Sequence, residues 1–109
     1  MRRIAFAVMA AFPLAAMAAS WQAAPLIDKN CVEKVKASPD SHTTSCLLQC
    51  AKSGYGILDN GKWLKFDSAG NEKALAALKA TKKKDHIRVD VTGDMEGDSI
   101  KVATLSIRE

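Results

Sequence analysis

After its first twenty residues the 109-residue chain has no second apolar run, no internal repeat, no low-complexity linker and no Cys-x-x-Cys pair. The first absence excludes a polytopic membrane protein. The next two exclude a repeat array or a string of domains, and the last excludes a thioredoxin-type redox motif. An excess of one sign of charge is also lacking. The formal net charge is +4, and the one basic run, Lys82-Lys83-Lys84, is followed directly by Asp85, as at a solvated helix end. The sequence offers no basic groove, so no nucleic-acid partner is expected. A thiol enzyme needs a nucleophile, a base and an orienting group; His42 near Cys46 suggests the first two, but such a histidine is more often a solvated loop residue, and no catalysis is expected.

What is present begins with a leader. Met1-Arg2-Arg3 is a basic start, residues 4–19 are apolar apart from Pro13, and Ala16-Met17-Ala18 has the small-x-small pattern that a signal peptidase accepts, with a second acceptable cut after Ser20. Residues 1–18 therefore read as a secretory signal peptide, too short for a spanning helix of about 20 residues. Asp28-Lys29-Asn30, just before Cys31, is too polar for a lipobox, so no stable membrane anchor is expected after cleavage. The expected location is periplasmic or secreted. Without Arg2 and Arg3 the net charge falls from +4 to +2. A domain of this size buries a modest core, and small exported domains commonly add a disulfide or a metal ion.

Residues 24–108 read as one domain. Residues 24–28 suggest a short first strand, with Pro25 confining it to an edge or a strand start. A helical, cysteine-rich segment follows over residues 31–53. Its first turns break at Ser38-Pro39, and a second helix is capped by Thr43 or Thr44 and stopped by Gly54. Residues 55–59 and 62–66 flank Asn60-Gly61, a dipeptide suited to the two positive φ values of a type I′ turn. The turn sets Asp59 against Lys62, Leu58 against Trp63, Ile57 against Leu64, Gly56 against Lys65 and Tyr55 against Phe66. Tyr55, Ile57, Leu64 and Phe66 then share the core face. Asn71 is expected to cap a helix to about residue 80, with Ala74, Leu75 and Leu78 inward. Residues 86–92 alternate, with Ile87, Val89 and Val91 inward, and His86 begins that strand as an exposed edge residue. A last strand, 99–108, changes phase near Ala103-Thr104, which suggests a bulge.

Five strands, mainly β in an α+β arrangement, with a helix between the third and fourth, follow the order of a small OB-like, partly open barrel. The cysteine segment is then a helical insertion between strands one and two. The chain resembles a group of small exported bacterial proteins with an OB-like domain. The matching residues are Asp28-Lys29-Asn30-Cys31, then His42 with Cys46 and Cys50, and a terminal Val91-Thr92-Gly93 with the stretch from Gly97 to Val102. Where that group has a glycine in the first strand, this chain has Ala24-Pro25-Leu26-Ile27. The resemblance implies architecture and carries no activity.

Cys31, His42, Cys46 and Cys50 supply the donor types of a Cys₃His zinc site or a thiolate copper(I) site. In one continuous helix His42 and Cys50 would stand about 12 Å apart along the axis, too far to share an ion. The helix must therefore begin after His42 for the four to converge. The competing expectation is a structural disulfide from Cys31 to Cys46 or Cys50, with a spare thiol; an intermolecular bridge is a third. A Cys46–Cys50 bridge is disfavoured, because side chains four apart on a helix rarely meet disulfide geometry.

Two further features compete for function. Trp63, Lys65 and Leu58 share the outer face of strands two and three, where OB-folds bind oligonucleotides or oligosaccharides, so an exported protein or glycan is the alternative partner. Trp63 packed beneath the cysteine segment is the competing reading. Asp94, Glu96 and Asp98 suggest a calcium loop, but Gly97 is misplaced and no later Glu completes it, which leaves a solvated hairpin turn.

Overall fold

The computed structural model describes residues 19–109; the expected signal peptide, residues 1–18, lies outside the described residues. The strands are β1 (Ala19–Asp28), β2 (Tyr55–Asp59), β3 (Lys62–Phe66), β4 (Arg88–Glu96) and β5 (Ser99–Ile107). The helices are α1 (Val32–Val35), α2 (Thr44–Gln49) and α3 (Ser68–Ala80), with short 3₁₀ turns at Lys29–Cys31, Pro39–Ser41 and Ala51–Ser53. The domain is thus a five-stranded mixed sheet with helices, mainly β.

The sheet curls into a ring. β1 pairs antiparallel with β2 and with β4, β2 with β3, and β4 with β5, while a short parallel contact, Lys65 to Ser99 and Phe66 to Ile100, joins β3 to β5. The inward positions of all five strands supply the core, including Leu26, Ile57, Leu64, Phe66, Val89, Val91 and Ile100. Ala74 and Leu78 of α3 pack against them. Each fully buried aliphatic side chain of this kind contributes about 1.5–3 kcal/mol.

The β2–β3 hairpin has the register set by its turn: Asn60 and Gly61 take φ of 52° and 83°, and Gly56 pairs with Lys65, Ile57 with Leu64, Leu58 with Trp63 and Asp59 with Lys62. The bulge in β5 falls where the alternation changes phase. Thr92 pairs with Thr104 and Gly93 with Val102, so Ala103 is the extra residue.

Three elements differ from expectation. β1 is a ten-residue strand that pairs with β4 over residues 19–25 and with β2 over residues 26–28, so Pro25 sits inside it rather than at an edge or a strand start, and a left-handed kink at Ala23 (φ 52°) shifts its register on β4. The Ala23 N–H donates to Asp90 Oδ1 at 2.9 Å, and its carbonyl accepts from Arg88 Nη1 at 3.0 Å, which ties down the kink. α3 starts earlier than Asn71. Asp67 is the N-cap and accepts from the Gly70 N–H at 2.9 Å, while Asn71 Oδ1 accepts from the Tyr55 N–H at 2.8 Å. His86 precedes β4 in a left-handed conformation (φ 54°), exposed as expected but outside the strand.

Candidate metal centre

β1 ends at Asp28, whose side chain is fully buried. The 3₁₀ turn Lys29–Cys31 reverses the chain there and carries Cys31 back toward it. Two ties bring the far end of the cysteine segment to the same place. Asp28 pairs with Tyr55 in the β1–β2 ladder, and the Lys29 N–H donates to the Gly54 carbonyl at 3.0 Å. Cys50 is the C-cap of α2, and its chain continues through Ala51–Ser53 to Gly54, whose φ of 92° turns the backbone into β2.

As a result, a carboxylate oxygen of Asp28 and the Sγ atoms of Cys31 and Cys50 all lie within 4.8 Å of one another. Asp28 Oδ1 is hydrogen-bonded to His42 Nε2 at 2.7 Å. Asp28 Oδ2 is buried and has no hydrogen-bond partner. Leaving such an oxygen unpaired costs about 1–3 kcal/mol or more, and the group of one carboxylate and two thiols is close enough to hold a metal ion. Burial above all, then the charge of Asp28 and the neighbouring Cys50, push the Cys31 thiol from 9.0 up to about 11. A divalent cation reverses that preference, because a coordinating thiol gives up its proton.

His42 is placed by a chain of fixed contacts. Asp40, two residues earlier, receives a two-pronged pair from Arg88, Nε to Oδ1 and Nη2 to Oδ2, each at 3.0 Å. Arg88 thereby holds the Asp40 carboxyl below its usual range. The His42 N–H then donates to the Pro39 carbonyl at 3.2 Å, and Thr43 caps α2 by accepting from the Cys46 N–H at 3.1 Å. The helix does begin after His42, as a shared site requires, but His42 turns to Asp28.

Of the four expected ligands, Cys31 and Cys50 are brought together, His42 reaches the group through Asp28, and Cys46 stands outside it, exposed. The roll of α2 explains Cys46. Leu47 is fully buried, and its carbonyl accepts from Tyr55 Oη at 2.7 Å, which leaves the preceding residue at the solvent edge. All three cysteines are free thiols, so the expected disulfide is not formed in the structure. Asp28 is the site residue that donor counting missed. Its signal was the Asp-x-x-Cys spacing at the end of a strand.

Trp63, on the outer face of the hairpin, is half-buried and packs in part against its neighbours. Trp63 Nε1 donates to the Ile27 carbonyl at 3.0 Å, and its ring lies over Gly56, where an added Cβ would come within 2.7 Å of it. Leu58 is 8% exposed, and Lys65 faces solvent. Asp98 at the β4–β5 turn is exposed and pairs with Lys62 at 3.0 Å. A groove of about 910 Å³ between α2 and residues 81–84 is lined by Thr44, Leu48, Gln49, Thr81, Lys82 and Lys84, and contains none of the three cluster residues. No helix among the described residues is long and apolar enough to cross a membrane.

Comparison with protein-family models, with curated proteins and with solved structures yields no match. The reading of the site therefore rests on the chain's own geometry.

Proposed function

We propose that this chain is a small exported binding protein of OB-like architecture that holds a zinc ion through Asp28, Cys31 and Cys50. The observation that carries the reading is the fully buried Asp28 carboxylate, which has an oxygen without a hydrogen-bond partner and lies within 4.8 Å of two cysteine sulfurs. One carboxylate oxygen with two thiolates suits zinc better than copper(I), which favours soft donors throughout. Three protein donors leave one coordination position for water or for a donor from a partner. His42 orients Asp28 from behind, as outer-shell partners of metal ligands do.

The strand order, the helix between β3 and β4, and the helical segment between β1 and β2 support the OB-like reading. Export is supported by the basic start and apolar run ahead of Ala19. Cleavage after residue 18 suits the fold better than cleavage after 20, because Ala19 and Ser20 pair with Gly93 and Thr92.

Zinc titration of the reduced protein against a chromophoric chelator tests the reading. One zinc per chain is expected, lost in Cys31→Ser and in Cys50→Ser and kept in Cys46→Ser. No zinc uptake by the reduced wild-type protein, or uptake that requires Cys46 instead of Cys31, refutes it.

A further inference from the structure

The two cysteine donors have a second possible partner, namely each other. Their sulfurs lie within 4.8 Å, on the two ends of one segment whose intervening elements are short: α1 has four residues, α2 six, and the rest is 3₁₀ turn and loop. Bond formation requires the sulfurs to approach to about 2.05 Å, and both cysteines lie outside the strands, Cys31 on the 3₁₀ turn after β1 and Cys50 at the end of α2. Cys31 and Cys50 are both half-buried, so a small thiol reagent has access to the pair, and an exported protein meets disulfides as a matter of course.

We infer, resting on the zinc reading above, that Cys31 and Cys50 form a reversible disulfide and that this disulfide and the zinc ion exclude one another. The redox state of the surroundings then sets whether the site is loaded. The oxidant is a low-molecular-weight disulfide, RSSR. One protein thiolate attacks a sulfur of RSSR, giving a mixed disulfide and one RS⁻. The second thiolate attacks the protein sulfur of that mixed disulfide, closing the Cys31–Cys50 bond and releasing the second RS⁻. Two electrons pass from the two cysteine sulfurs to RSSR, and Zn²⁺ leaves to solvent with its two thiolate ligands gone. In the metal-free protein a cysteine gives its thiol proton to solvent before it attacks. Asp28 alone then remains of the three donors, too few to retain zinc.

The test uses the full chain in reduced and oxidised form. The reduced protein is first titrated with zinc, then freed of metal and treated with oxidised glutathione. The expected product is two hydrogens lighter, keeps one alkylatable thiol that maps to Cys46, and binds zinc weaker by about 100-fold or more. Dithiothreitol restores binding, and zinc-saturated protein oxidises at least about tenfold more slowly than metal-free protein. Cys46→Ser undergoes the same two-hydrogen loss. Failure of the reduced protein to take zinc overturns both this inference and the reading beneath it. Zinc uptake by the reduced protein combined with alkylatable Cys31 and Cys50 after oxidation, or with undiminished zinc binding by the disulfide form, overturns the redox exclusion alone.

Discussion

His42 Nε2 lies 2.7 Å from Asp28 Oδ1, and both side chains are buried, Asp28 fully and His42 to all but 5%. The bond fixes one oxygen of the carboxylate and so sets the orientation of the group beside Cys31 and Cys50. Removing it frees the carboxylate to turn and leaves a buried oxygen unpaired.

His42→Ala is therefore expected to weaken zinc binding by about 10–100-fold while leaving one zinc per chain at saturation, as loss of an outer-shell partner does. It should also cost about 1–3 kcal/mol of stability in the metal-free protein. His42→Gln, which keeps a donor near Asp28, should recover part of both. Chelator competition and urea denaturation read the two effects. Loss of zinc stoichiometry at saturation in His42→Ala would instead make His42 a direct ligand.

Alkaline pH should unfold the reduced, metal-free protein in two overlapping steps. Cys31 is pushed from 9.0 up to about 11, and Tyr55 from 10.0 up to about 12, the latter by burial first and then by Asp28 and Cys50. Both groups hold their protons more tightly folded than unfolded, so their contribution is complete below pH 9 and is lost as pH rises through 11 and then 12. Urea denaturation between pH 8 and 11 should show stability declining from about pH 9. In Cys31→Ser the decline should begin about one pH unit later. Tyr55→Phe should flatten the upper part, at a cost of about 1 kcal/mol throughout for its bond to the Leu47 carbonyl. An unchanged pH profile in both variants would remove this account.

Local chemistry made much of the fold legible. Asn60-Gly61 dictated the hairpin register, the phase change at Ala103-Thr104 located the bulge, and Thr43 announced the start of α2 after His42. The departures are all long-range in cause. β1 lengthened because residues 19–25 find a partner in β4, with Asp90 and Arg88, more than sixty residues away, holding the kink at Ala23. Asn71 was drawn from capping duty to the Tyr55 N–H. At the site, the donor types showed that cysteine and histidine chemistry was available, but not which side chains meet. That depends on the roll of α2, set by Leu47 and Tyr55, and on the ladder contact between Asp28 and Tyr55.

Gly56→Ala tests whether the outer face of the hairpin is packing. Its Cβ would lie 2.3 Å from the Leu64 carbonyl oxygen and 2.7 Å from the Trp63 ring, so backbone or ring must shift. A loss of about 1–3 kcal/mol is expected, as for other overpacked sites. Trp63→Ala should cost about 2–4 kcal/mol, and Trp63→Phe about 1 kcal/mol for the bond to the Ile27 carbonyl. Lys65→Ala, at the exposed neighbour, should stay within about 0.5 kcal/mol. Thermal or urea denaturation of the four variants is sufficient; a neutral Trp63→Ala would return this face to consideration as a binding surface.

Cys46 should be the first thiol to react. It is exposed on α2, whereas Cys31 is half-buried and, with its thiol pushed up to about 11, holds only about one thiolate in a thousand at pH 8. Brief treatment of the reduced, metal-free protein with a maleimide, followed by peptide mapping, should therefore label Cys46 well before Cys31. Adding zinc should protect Cys31 and Cys50 and leave the Cys46 rate unchanged, because a coordinated sulfur is no longer a free nucleophile. The contrast separates coordination from simple burial: a thiol shielded only by burial reacts at the same rate with and without zinc. Equal protection of all three cysteines would draw Cys46 into the ligand set and require α2 to roll, against the full burial of Leu47.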